Sequence, residues 1–316
     1  MEQAAGEKET AYGLEKTTAQ SALPANDPHV VSWRDFIQVT KPGILFSNLI
    51  TTFGGFWIAS QWEIDWLLMV WILAGATLVM ASGCVLNNYL DRDLDAKMKR
   101  TQNRALPSGT LTPRVVMIYG VFLGIAGLLL LGLLVNMLTA LLGLLGLFVY
   151  VYVYTAWLKR TSVWSTVVGA VSGAIPPVMG YTAVTGRIDI GALILFMILF
   201  LWQPPHFWAL GIRRLEDYRK AGYPLLPVVK GIRQTQISML RYAVPLIPVS
   251  VLLYVFDYAG VFYLISAIVL GTVWAFLCAR GFRAKDEIRW SKGVFVFSIN
   301  YLTILFIIMI IDTVGR

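Results

Sequence analysis

Long apolar runs of about 20 residues recur along this chain, separated by short polar breaks. Each run is long enough to cross a hydrocarbon core of about 30 Å as a helix. The pattern predicts nine spans, at 43–60, 66–90, 115–135, 137–157, 162–183, 190–212, 238–256, 260–280 and 293–312. The weakest break is at Asn136; were spans three and four one helix, every later orientation would invert. Residues 1–32 are polar and carry no basic stretch leading into an apolar one, so they read as a disordered tail rather than a signal peptide. Trp33–Phe36 suits a short interfacial helix, and Pro42 suits the first turn of the span that follows. The expected fold is all-α and polytopic: nine transmembrane helices in one domain, 33–316.

Composition agrees with that pattern, with 57% hydrophobic and only 14% charged residues, where soluble proteins carry roughly 25% charged. Cys84 and Cys278 both lie inside apolar runs and read as small core hydrophobes. The net charge of +8 is explained by topology, so nucleic acid is not an expected partner. With the N-terminus inside, all the Lys and Arg except Arg187 and Arg316 fall on one side. That bias places the N-terminus in the cytoplasm and the C-terminus outside. The two long connections, 91–114 and 213–237, share the cytoplasmic face. They follow spans four apart, which suggests an internal duplication of four helices.

The second span ends in Asn87–Asn88–Tyr89–Leu90–Asp91–Arg92–Asp93–Leu94–Asp95. On a helix, Asn87, Asp91 and Asp95 share one face over about 12 Å. Stacked acids at a helix C-terminus repel one another and the macrodipole, so a cation should compensate them. A hard divalent ion held by oxygens is one solution. A solvated acidic loop paired with its basic neighbours is the other.

A second constellation closes the sixth span: Trp202–Gln203–Pro204–Pro205–His206–Phe207, then Arg213, Arg214, Glu216, Asp217, Arg219 and Lys220. Prolines within an apolar run free backbone carbonyls, which protein or a wet cavity must satisfy. An ionisable residue within the membrane is a functional candidate. His206 could be a base, an iron ligand, a polar hook for substrate, or a histidine bonded to a freed carbonyl. Glu216 and Asp217 could hold a second cation, or could pair with the neighbouring arginines.

Two acidic clusters interleaved with bases suit a diphosphate, which is bound by bridging Mg²⁺ and by direct contacts from Arg and Lys. Candidates for those contacts are Lys41, Asn88, Lys99, Arg100, Arg104, Lys159, Arg160, Arg213, Arg214 and Lys220. At this point the chain resembles the intramembrane UbiA-type prenyltransferase superfamily, and within it the branch that farnesylates haem. The resemblance is carried by Asn87–Asp95, Arg100–Gly109, Tyr154–Thr155, Leu158–Arg160, Trp202–Phe207 and Asp217–Pro224, and it covers about residues 33–312.

The resemblance implies nine helices around a cavity open to lipid. It implies Mg²⁺ at Asn87, Asp91 and Asp95, farnesyl diphosphate and haem b as substrates, and a bacterial cell-membrane location with the site facing the cytoplasm. A haem A synthase would receive the product. Arg213 stands where the wider superfamily has the first aspartate of its second motif, and Asn88 where many relatives have Asp. Both departures put a full second metal site in doubt and match the haem branch. The fourth span's aromatics, Phe148, Tyr150, Tyr152 and Tyr154, could shield a cation, although alternation spreads them around a helix. Rival readings are a prenyltransferase for quinone-precursor or chlorophyll-type acceptors, a secondary transporter, and a haem-binding assembly factor without catalysis.

Overall fold

The structure, a computed structural model, describes residues 31–315. The expected disordered tail thus lies almost wholly outside the described residues. The described chain is helical: α1 (Trp33–Val39), α2 (Pro42–Ser60), α3 (Trp66–Asp95), α4 (Pro113–Leu134), α5 (Met137–Thr161), α6 (Ser165–Thr185), α7 (Ile190–Arg213), α8 (Leu215–Ala221), α9 (Leu226–Val229), α10 (Gly231–Val255), α11 (Val261–Arg283) and α12 (Glu287–Ile311). Nine of these, α2–α7 and α10–α12, are long and apolar enough to span a membrane.

The break between spans three and four is set by a cap. The Asn136 side chain accepts from the Thr139 amide at 2.8 Å. Its own amide donates to the Thr182 carbonyl at 2.9 Å, which ties the start of α5 to α6. Asp65 and Asp189 cap α3 and α7 in the same way. Side-chain acceptors satisfy amides that each helix start leaves unpaired.

Three spans outrun their apolar runs by five residues or more. The structure extends α3 to Asp95, starts α10 at Gly231 rather than 238, and starts α12 at Glu287 rather than 293. Hydropathy marks where lipid contact ends, whereas helical hydrogen bonding continues through polar residues into the interface. Asp286 then caps α12 by accepting from the Arg289 amide at 2.9 Å.

Pro176–Pro177 lie inside α6 and Pro204–Pro205 inside α7, and both helices continue through them. The Gln203 amide donates to Ala170 O of α6 at 3.2 Å and to Leu199 O at 3.1 Å. Helices α2 and α6 cross at backbone contact: a methyl group at Gly180 would stand 1.9 Å from the Thr52 carbonyl oxygen. At the end far from α3's acidic turns, Trp62 donates to Thr313 O at 2.8 Å, and Asp312 accepts from the Tyr263 amide at 2.7 Å. These contacts leave a cavity of about 530 Å³ inside the bundle, walled by α2, α3, α5, α6, α7 and α12.

Candidate active site

One end of the cavity is acidic and basic together. The helix that carries Asn87, Asp91 and Asp95 places all three against the cavity. Their exposures are 3%, 1% and 3%, so they are not solvated, although the pairing with basic neighbours that the alternative expected is present for Asp91 and Asp95. Each is met by a base from a different element. Lys41 Nζ donates to Asn87 Oδ1 at 2.5 Å. Lys159 Nζ donates to Asp91 Oδ2 at 2.5 Å. Arg104 donates to Asp95 Oδ2 at 2.6 Å and to Asn88 Oδ1 at 3.3 Å. Asn88, itself buried, donates to the Val39 carbonyl at 2.7 Å and so fixes α1 against α3.

Lys41 lies between α1 and α2 with φ 56°, ψ 67°. A left-handed lysine costs roughly 1–2 kcal/mol, and here the cost holds an ammonium at the cavity mouth. Burial, with the like charges of Arg104 and Lys159 adding to it, pulls that ammonium down to about 8.

The second half of α5 departs from α-geometry: Val149–Leu158 form a π-helix. Such segments are rare and gather at functional sites. Here the wider turn lets Thr155 Oγ1 donate to Tyr150 O at 2.8 Å and accept from Asn87 Nδ2 at 3.0 Å. It also settles the aromatic run. Tyr150 and Tyr154 stack at 5.8 Å and line the cavity, whereas Phe148 and Tyr152 face outward.

The remaining bases divide. Arg100 lines the cavity beside Arg104. Arg160 pairs with the exposed Asp93 through both nitrogens, at 2.9 and 2.8 Å, and donates to Leu90 O. Lys99, Arg213, Arg214 and Lys220 are not among the cavity-lining residues; Arg213 lies over the Phe295 ring, 5.9 Å from its centroid. Glu216 pairs with Arg219, and Asp217 faces Arg214 at 4.0 Å. Both acids lie outside the cavity lining, so the structure does not bring them to the Asn87–Asp95 cluster.

Two further residues had no assigned role in sequence. Tyr223 comes from the connection between α8 and α9, and its ring lies 5.0 Å from Lys159 Nζ. Its buried hydroxyl has no hydrogen-bond partner, and burial pushes the phenol up, so the group stays a donor. Its only signal was its place in the Ala221–Gly222–Tyr223–Pro224 segment. The other is Ser298 of α12. It bonds His206 Nδ1 at 2.6 Å, so the partner of His206 is a serine hydroxyl rather than a freed carbonyl. Nothing in sequence linked a serine 92 positions away to that histidine.

Among the described residues, no three His, Cys, Asp or Glu side chains gather to hold a metal. The available donors are two carboxylates and one amide, all oxygen. One of those oxygens, Asp91 Oδ1, is buried without a partner. That set fits Mg²⁺, which takes one or two carboxylates and completes its shell with water and substrate phosphate.

A bundle of membrane-length apolar helices whose central cavity joins an apolar body to a head of buried carboxylates and bases is the architecture of an intramembrane enzyme. Residues 48–300 match the UbiA prenyltransferase family. The chain is 50% identical to protoheme IX farnesyltransferase 1 of Bacillus subtilis, over 88% of this chain and 90% of that protein. It is 46% identical to the protoheme IX farnesyltransferase of Klebsiella pneumoniae, over 89% and 95%. Two solved structures share the fold. A digeranylgeranylglyceryl phosphate synthase aligns with TM-score 0.75 at 20% identity, covering 88% of this chain and 97% of its own. A UbiA homologue from Archaeoglobus fulgidus bound to GPP and Mg²⁺ aligns with TM-score 0.64 at 16%, covering 87% and 99%. The chain belongs to the UbiA prenyltransferase family, in its protoheme IX farnesyltransferase branch.

Proposed function

We propose that this enzyme transfers the farnesyl group of farnesyl diphosphate to a vinyl group of haem b, with hydration, giving haem O and diphosphate. The observation that carries this reading is the head of the cavity, where Lys41, Arg104 and Lys159 converge on Asn87, Asp95 and Asp91 above an apolar chamber. The similarity to protoheme IX farnesyltransferases supports the substrate pair. Charge bias among the connections supports a cytoplasmic mouth, and the bacterial relatives support a bacterial cell membrane.

The diphosphate lies among the three bases, whose N–H groups not already given to Asn87, Asp91 and Asp95 donate to phosphate oxygens. Mg²⁺, held by Asn87, Asp91 and Asp95 with those oxygens, supplies positive charge to the leaving group when bound. Glu216 and Asp217 face arginines instead, so the reading does not rest on a second ion. As the C1–O bond breaks, the electron pair leaves with diphosphate, and Lys159 and Arg104 stabilise the charge that develops there. The π-faces of Tyr150 and Tyr154 face the allylic cation. The terminal vinyl carbon of haem bonds to C1. Water then adds to the adjacent carbon and releases a proton to solvent.

The test is pigment extraction from a haem O-deficient host expressing the chain, with the porphyrins weighed by mass spectrometry. A mass gain of farnesyl plus water over haem b is expected. Unchanged haem, with purified protein prenylating 4-hydroxybenzoate instead, would replace haem with a quinone-precursor acceptor.

A further inference from the structure

His206 lies on α7, seven residues before its end at Arg213, or about 10 Å along the axis. Its ring is clamped between Trp202 (centroids 4.5 Å, planes 20° apart) and Phe295 (4.7 Å, 26°). The buried Ser298 holds the whole arrangement. Its carbonyl accepts from the Trp202 indole at 2.9 Å. Its hydroxyl contacts the Phe295 carbonyl at 2.6 Å and His206 Nδ1 at 2.6 Å.

The protons in that chain can be counted. A carbonyl oxygen only accepts, so the 2.6 Å contact between two oxygens needs the serine proton. Ser298 Oγ then has only a lone pair for His206, and Nδ1 must be the donor. The imidazole is therefore protonated at Nδ1. Its Nε2, which no described residue engages, carries a lone pair on a ring that lines the cavity beside Phe207, Leu210, Ile299 and Leu302.

We infer that Ser298 is a positioning residue that locks His206 as the Nδ1–H tautomer, so that Nε2 binds the iron of the metalloporphyrin substrate. This rests on the haem reading above. Clamped faces fix the ring's direction, and a ligating histidine characteristically gives its other N–H to a neighbouring acceptor, which raises its basicity. The apolar side chains around the ring suit a porphyrin face. Binding by iron orients the macrocycle and so selects which edge meets the farnesyl C1.

The experiment titrates purified full-length protein with haem b and records the Soret band and, for the ferrous form, the resonance Raman iron–histidine stretch. Wild type should show that stretch, and His206→Ala should lose it with at least a tenfold weaker haem Kd. Ser298→Ala should lower the stretching frequency and weaken haem binding, while Ser298→Thr, which keeps the hydroxyl, restores both. Binding of farnesyl diphosphate should be unchanged in every variant, which also reports that each is folded. An identical spectrum and Kd in His206→Ala, with haem O still made, would overturn the inference and leave the proposed reaction standing. A Ser298→Ala stretch equal to that of wild type would overturn the tautomer lock. No haem binding by wild type, with no haem O formed, would remove the proposed reaction and this inference together.

Discussion

Lys159 holds one oxygen of Asp91 at 2.5 Å and leaves the other, Oδ1, buried without a partner. A carboxylate that only balanced a lysine would have no reason to keep half of its lone pairs unmet by protein at 1% exposure. The pair thus has a structural half, the ion pair across α3 and α5, and a half left for a ligand. The two halves respond differently to mutation.

Lys159→Met strands a carboxylate whose side chain is 2% exposed, and should destabilise the protein by about 3–5 kcal/mol. Adding Asp91→Leu to it should recover most of that stability and none of the activity. Asp91→Ala and Asp95→Ala should each abolish turnover in protein that still inserts. Thermal unfolding in detergent and haem O yield, measured on the same preparations, separate the two effects. Near-normal yield from either alanine variant would discard the metal assignment.

Tyr223→Phe should act in the opposite sense on stability. The Tyr223 hydroxyl is buried among Lys159, Asp91 and Asp95 and makes no bond of its own. Removing it relieves a desolvated group, so the melting temperature should hold or rise. If the hydroxyl donates to substrate phosphate, a hydrogen bond to a charged acceptor is lost. That is worth about 1.5–3 kcal/mol, or roughly 10–100-fold in kcat/KM for farnesyl diphosphate. A stability loss with unchanged kcat/KM would make Tyr223 a packing residue.

Asn136 tests the fold apart from the chemistry. It caps α5 and holds α6 through Thr182, at the end away from the acids. Asn136→Ala should cost about 1–2 kcal/mol of stability with little change in kcat/KM. A large loss of activity at full stability would mean that this end of α5 sets the position of the π-helix.

How far these residues could be read from sequence follows from the range of the signals. Helical periodicity put Asn87, Asp91 and Asp95 on one face, because a four-residue spacing is local. Hydropathy found the nine spans but cut α10 and α12 short, because it senses lipid rather than hydrogen bonding. The π-helix left no trace, since its widened turn depends on neighbours such as Gly169, where a methyl group would meet the Tyr154 ring at 2.9 Å. Which base meets which acid, and that Ser298 reaches His206, are decided by contacts between helices far apart in sequence. No spacing rule carries that information.

The final prediction concerns the charge on Lys41. An ordinary lysine ammonium loses its proton near 10.5, whereas burial and the nearby Arg104 and Lys159 bring Lys41 down to about 8. Below that pH it is charged and held by Asn87; above it the amine is neutral and nucleophilic. In magnesium-free protein without substrate, acylation of Lys41 followed by mass spectrometry should therefore rise through about pH 8. Free Nα-acetyl-lysine in the same solution should follow only near the ordinary value of about 10.4. A diphosphate in the cavity supplies the counter-charge that burial removed, so a non-hydrolysable farnesyl diphosphate analogue should move the Lys41 midpoint upward. Should Lys41 titrate with the free lysine in the empty protein, its ammonium is not desolvated and the cavity mouth is wetter than its geometry indicates. Should the analogue leave the midpoint in place, Lys41 does not touch the diphosphate, and the head group is held by Lys159 and Arg104 alone.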